Sequence, residues 1–306
     1  MTADDLFGRD LFGDVVREKS RGPVADRFVY PPFSVLDARG GDWQERKRAW
    51  IAMGLRSEEG RAGNMSYQGQ DSLNVLSGAT TPGTSVFDPV LCELLFRWMS
   101  PPGGVIVDPF AGGSVRGAVA SALGFRYWGC DLRAEQIRAN EAQADVMALD
   151  PRPQWVCGDS METLASAPAA DFVFSCPPYG DLERYSDDPA DLSAMEWYTF
   201  SAAYRRIILR AVERLKPDSF ACFVVGDFRD PRGFYRGFVQ ETCTAFEQAG
   251  ARLYNDAVLV TPTGSACLRV GRQFEASRKF VKTHQNVLVF CKGSPEKAAA
   301  KCKAPA

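Results

Sequence analysis

From about residue 85 to residue 293 the chain alternates short apolar runs with helical patterns. "GGVIVDPF", "RYWGCDL", "QWVCGDS", "ADFVFSCPPY" and "SFACFVVGDF" each hold a run of buried-strand length. Between them, "SVRGAVASALG", "RAEQIRANEAQADVMAL" and "MEWYTFSAAYRRIILRAVERL" read as helices. "FYRGFVQETCTAFEQAG" adds another helix, and "ARLYNDAVLVTP" and "HQNVLVFCKG" two closing strands. Parallel strands need crossovers, usually helices. The pattern therefore predicts an α/β fold: a Rossmann-like, mostly parallel twisted sheet with helices on both faces. "SVFDPVLCELLFRWM" precedes the first strand as an amphipathic helix, with Ser85 or Asp88 as its cap and Pro89 in its first turn.

The flanks divide by composition. Residues 1–28 read as a flexible leader, 29–84 as an N-terminal segment able to touch a partner, 85–293 as the α/β domain and 294–306 as a disordered tail. Within the second segment, "DWQERKRAWIAMGL" predicts a short helix capped by Asp42, with Gln44 to Met53 as its body. Its Trp43 and Trp50 share a face and are expected to pack rather than stack on a ligand.

Several chemistries are disfavoured at the outset. The chain has one histidine, His284, and its cysteines form no CxxC pair, so no metal site or histidine-based triad is expected. Scattered cysteines inside apolar runs suit reduced thiols in the cytoplasm. No apolar run approaches membrane-spanning length, and the opening residues lack a signal-peptide core, which predicts a cytoplasmic protein without membrane contact. At a net charge of -2, a polyanion would have to be met by a local basic patch.

Two stretches carry chemistry. In "VIVDPFAGGSVRGAVASALGFRYWGCDL", an apolar strand ends in Asp108, and Phe110 with Gly112 and Gly113 leads into a helix. The next strand ends in Asp131, whose carboxylate suits two ribose hydroxyls. A third strand ends at Asp159-Ser160, placed to reach an adenine amino group. The turn is neither GxGxxG nor followed by GK[ST], so a nucleoside without pyrophosphate fits, and S-adenosylmethionine is the obvious one. In "DFVFSCPPYG", two prolines end a buried strand because they cannot donate to a ladder. Their carbonyls make fixed acceptors for an amino group, and Tyr179 offers a flat face for a planar one.

Taken together, "DPFAGGS" and "CPPY" resemble the motif pair of the S-adenosylmethionine-dependent DNA amino-methyltransferases that make N6-methyladenine or N4-methylcytosine, as found in restriction-modification. The resemblance covers residues 85–293 and implies the class I methyltransferase fold. It also implies that Asp88 and Pro89 line the methionine end of the cofactor. Methyl transfer would then occur in-line to a flipped base held by Cys176, Pro177, Pro178 and Tyr179, with adenine favoured over cytosine. Two departures stand out: the glycines of the turn are adjacent, and Cys176 replaces the family's Asp, Asn or Ser. A thiol is a poor acceptor, so Ser175 or the backbone carbonyls would take over. DNA is the expected partner. Alternatives are an RNA or protein-glutamine methyltransferase, or a regulator that binds cofactor and DNA without catalysis.

For phosphate contact, "RVGRQFEASRKFVKTHQ" reads as a basic loop offering Arg269, Arg272, Arg278, Lys279 and Lys282, with Phe274 and Phe280 interleaved. Arg46 and Lys47 of the N-terminal segment join them as candidates.

Overall fold

The computed structural model describes residues 23–56, 87–180, 186, 188–264 and 266–302. Most of the predicted leader and the polar stretch from 57 to 86 lie outside the described residues. Eight strands form one sheet: β1 (Val35–Asp37), β2 (Val105–Asp108), β3 (Arg126–Asp131), β4 (Gln154–Cys157), β5 (Ala170–Ser175), β6 (Leu215–Val225), β7 (Arg252–Val260) and β8 (His284–Lys292), in the spatial order β1-β7-β8-β6-β5-β2-β3-β4. Paired neighbours run parallel except at β8, which is antiparallel to both β6 and β7. This is the expected Rossmann-like sheet. Chain order reverses between β2 and β5, which opens the crevice where doubly wound sheets hold ligands.

Alternation along the central strands divides the core into two layers. Phe172 and Phe174 of β5 and Phe220, Cys222 and Val224 of β6 face one layer. Val173, Ala221, Phe223 and Val225 face the other. Helices α1 (Pro23–Phe28), α2 (Gly41–Ala52), α3 (Pro89–Met99), α4 (Val115–Ala122) and α5 (Ala134–Val146) precede β5, as does the short α6 (Ser160–Thr163). Of these, α2, α3, α4 and α5 supply the first layer. The second is filled mainly by α7 (Trp197–Arg214) and α8 (Phe238–Gln248).

The flanks differ from expectation. Residues 35–37 are a strand of the main sheet, paired with β7, and α2 packs on α3, so 29–56 is built into the α/β fold. Helix α2 starts at Gly41 with Gly40 at its cap, leaving Asp42 in the first turn. Trp43 and Trp50 are buried, as their shared face predicts, and donate to Asp88 (3.1 Å) and Glu93 (2.9 Å). The expected disordered tail contains a further helix, α10 (Pro295–Lys301). Ser294 caps it, Ala298 is buried, and Lys301 donates to the carbonyls of Pro217 (2.7 Å) and Asp218 (2.9 Å). Its alanine and lysine content reads as low complexity, yet these are good helix formers once one face is covered.

The expected basic loop is also helical. Helix α9 (Ala266–Ser277) connects β7 to β8, and none of its residues is buried. Because β8 runs against its neighbours, this connection lies at the edge where the parallel strands end. The chain before α8 is not helical: Arg229 and Tyr235 bridge as a small antiparallel hairpin, and α8 begins only after Gly237. No helix among the described residues is long and apolar enough to cross a membrane.

Candidate active site

The turn after β2 is organised around a buried carboxylate. Asp108 is fully buried, and its two oxygens accept four bonds. Oδ1 takes the Phe110 amide (3.1 Å) and the Ser175 hydroxyl (2.5 Å). Oδ2 takes Arg116 Nε (2.5 Å) and the Tyr127 hydroxyl (2.7 Å). Arg116 also donates to the carbonyls of Phe110 and Ala111, clamping the turn from within. Burial opposes the Arg116 charge, but the adjacent Asp108 carboxylate overcomes it and holds the guanidinium above its ordinary pKa. Burial, with the Asp108 charge, pushes the Tyr127 phenol well up.

Asp131 sits at the end of β3, partly exposed. One oxygen accepts the Gly112 amide (3.0 Å) and the other the Arg133 amide (2.9 Å). Each oxygen thus keeps a further lone pair for another donor. Burial raises the Asp131 pKa, and the amides of Arg133 and Gly112 partly oppose it. Gly112 adopts a left-handed backbone (φ 49°), and a Cβ there would come no nearer to the chain than 3.8 Å from Arg116, so the space above it is open. Asn140 accepts from Gln136 (3.0 Å) and donates to the Gly112 carbonyl (2.7 Å), fixing the turn from the α5 side. Asp159 caps α6 through Oδ1 to the Met161 amide (2.8 Å), and Ser160 donates to the Pro109 carbonyl (2.5 Å). Asp88 caps α3 and also accepts from Trp43 and Lys47 (3.2 Å), beside the buried Pro89.

Strand β5 lies beside β2, so its terminal turn opens on the same edge. Pro177 is buried, while Cys176, Pro178 and Tyr179 are partly exposed. The Tyr179 ring meets Phe228 (6.4 Å, 70°) and Phe238 (6.1 Å, 79°) edge-on, and its hydroxyl accepts from Gln285 Nε2 (2.6 Å). Cys176 Sγ lies 4.0 Å from that hydroxyl. Gly226 lies beside Tyr179, whose Cε1 is 3.8 Å from the Cβ position of that glycine, and Asp227 follows it. Asp227 accepts the amides of Gly237 (3.0 Å) and Phe238 (3.1 Å) at the start of α8. Lys282 Cε lies 3.8 Å from the same Gly226 Cβ position; burial lowers the Lys282 pKa, with Asp227 opposing.

Three expectations change. Ser175 is buried with its hydroxyl on Asp108, so it belongs to the turn's support and not to the cleft. Arg46 forms a two-pronged pair with the buried Glu93 of α3, and Lys47 pairs with Asp88. Both cations are engaged within the fold rather than displayed to a phosphate. By contrast, Arg272, Arg278, Lys279 and Lys282 lie on or just after α9, at the edge where β5 ends, with Arg269 partly buried on the same helix. Tyr127, Asn140 and Gln285 carried no sequence signal, because each acts through a partner 19 to 106 residues away, and Arg116 carried none because its Asp108 partner is reached only once the turn between them closes. His284 is exposed, and burial and the Lys282 charge lower its pKa. Among the described residues no cluster of three metal-ligating side chains occurs.

No family model matches the chain. No curated protein matches it either. Solved structures do. TrmN from Thermus thermophilus shares 15% identity over 67% of this chain, with a TM-score of 0.46. The chain spans 49% of TrmN, about half its length. A Pyrococcus horikoshii protein assigned as an RNA methyltransferase matches at 15% identity, over 82% of this chain and 100% of that one, with a TM-score of 0.48. A Thermus thermophilus protein assigned as a DNA modification methylase matches at 20% identity, over 44% and 51%, with a TM-score of 0.34. At these identities the likeness is one of fold alone.

Proposed function

We propose that the protein transfers a methyl group from S-adenosylmethionine to an exocyclic amino group of a flipped base in DNA, with N6 of adenine favoured over N4 of cytosine. One observation carries this reading: the glycine turn with Asp131 and the Pro-Pro-Tyr turn open on one crevice, from adjacent strands β2 and β5. The residues present fit the cofactor. Asp131 retains acceptor capacity for ribose hydroxyls, Gly112 leaves open space over the turn, and Asp159 Oδ2 remains for an adenine amino group. Asp108 then serves by shaping the turn, and Asp88 by capping α3. Phe110 and Gly113 line the turn itself.

The cofactor supplies an electrophilic methyl group. The Pro177 carbonyl accepts an N–H of the target amino group and orients its lone pair for in-line attack. The Tyr179 ring presents a face to the base, held still by Phe228, Phe238 and Gln285. With Ser175 committed to Asp108, Cys176 offers the amino group only a weak thiol acceptor, and the proton released on methylation passes to water. That substitution also favours one second reading, a regulator that binds cofactor and nucleic acid without transferring the methyl group.

The direct test incubates the purified protein with tritium-labelled S-adenosylmethionine and DNA. Label in DNA that is lost in Pro178→Ala and Tyr179→Ala supports the transferase. Cofactor binding without label moves the reading to the silent binder, and label in RNA or protein alone moves the substrate.

A further inference from the structure

We infer that the hairpin from Phe228 to Gly237 and the α9 segment together form a stacking platform for an unpaired stretch of nucleic acid, with Tyr235, Phe274 and Phe280 as its base-facing rings. The proposal deepens the function above and rests on it for the identity of the adjoining cleft.

The rings are exposed rather than packed: Tyr235 is 49%, Phe274 39% and Phe280 76% accessible. Large apolar rings grouped on a surface call for a partner. Each is interleaved with a cation. Arg229 lies 3.9 Å over the Tyr235 ring, with Lys282 6.0 Å from its centroid. Arg278 lies 5.1 Å over Phe274, which stacks on Phe280 (5.9 Å, 13°). The two pieces form one surface, since a Cβ on Gly233 of the hairpin would fall 2.8 Å from Lys279 Nζ. Segments 226–237 and 266–284 hold eight cations against three acids, in a chain of net charge -2. Charge therefore selects a polyanion.

The rings decide which one. A duplex hides its base faces and is gripped by cations on its phosphates, leaving exposed aromatics idle. Unpaired bases stack on aromatic and guanidinium planes, and alternating rings and cations suit such a strand. The platform is also continuous with the cleft. Lys282 Cε and Tyr179 Cε1 each lie 3.8 Å from the Cβ position of Gly226, and Gln285, three residues after Lys282, holds the Tyr179 hydroxyl. A strand lying on the platform would lead a base to Tyr179 from a locally opened stretch, where turning it out of the stack costs less than from an intact helix.

The experiment is fluorescence anisotropy with a short labelled oligothymidine and a duplex of matched length, without cofactor, so that binding is read independently of methyl transfer. The single strand is expected to bind more tightly. Tyr235→Ala and Phe280→Ala should each weaken that binding about five- to a hundredfold while duplex binding changes little. Phe280→Trp should retain it, and circular dichroism melts should confirm intact folding of each variant. Equal affinity for both probes, unmoved by loss of a ring, would overturn the platform in favour of a plain phosphate grip. Absence of binding to either probe would overturn it in favour of a protein partner. Oligothymidine binding here, with no label reaching DNA in the tritium assay above, would leave the platform standing and count against the transferase alone.

Discussion

Tyr179 is held at its hydroxyl by Gln285 and at its ring edges by Phe228 and Phe238. Gln285→Ala removes the first restraint without touching the backbone. We expect kcat for methyl transfer to fall up to about tenfold, the scale of one hydrogen bond, with the melting temperature nearly unchanged. Steady-state kinetics beside a thermal melt separates the two. Asp108 poses the opposite case. Arg116→Met would strand its buried charge, so a loss of about 3–5 kcal/mol of stability is expected, measured by denaturant unfolding. Arg116→Lys should rescue little, since an ammonium lacks the fork that reaches Asp108 and two carbonyls together. Asp131 gives a pH dependence. Its folded pKa is raised by burial, and the proposed contact with both ribose hydroxyls calls for the charged, acceptor-only form. Cofactor affinity should therefore be full above that raised pKa and fall as pH drops through it, at a higher pH than for an ordinary aspartate. Calorimetric titration across pH should show this fall in the wild type and a flat, weak response in Asp131→Asn.

Strand β5 shows what was legible at the level of elements. Its apolar run and the two prolines mark both its span and its end, and Asp108 and Asp131 mark the ends of β2 and β3 in the same way. Their alternation with helices was enough to place the glycine turn and the Pro-Pro-Tyr turn on one edge. Other features were not legible because their causes are tertiary. The Gln285 to Tyr179 bond spans 106 residues, and the Arg46 to Glu93 pair spans 47. Helix α9 was masked by its charges, although Val270 and Phe274 are four apart on one face. Helix α10 was masked by simple composition. Its docking implies that truncation after Gly293 removes a buried alanine and the Lys301 bonds to the Pro217 and Asp218 carbonyls. Such a chain should lose roughly 1–3 kcal/mol and melt at lower temperature by calorimetry.

Across the described residues, one sheet carries the glycine turn, the Pro-Pro-Tyr turn and the basic surface at a single edge. Strands β2 and β3 bring the first, β5 the second, and the β7 to β8 connection the third. The segment before the α/β core joins this sheet through β1 and covers α3 through α2, so its tryptophans and cations stabilise the scaffold. On the reading proposed above, substrate recognition falls to the hairpin and α9. The most direct test of this account is nucleoside mass spectrometry of DNA from cells expressing the protein, beside cells expressing the Pro178→Ala, Tyr179→Ala double variant. The account predicts a new N6-methyladenine peak that the variant lacks. DNA with no modified base, from cells in which the purified protein still binds S-adenosylmethionine, would contradict it.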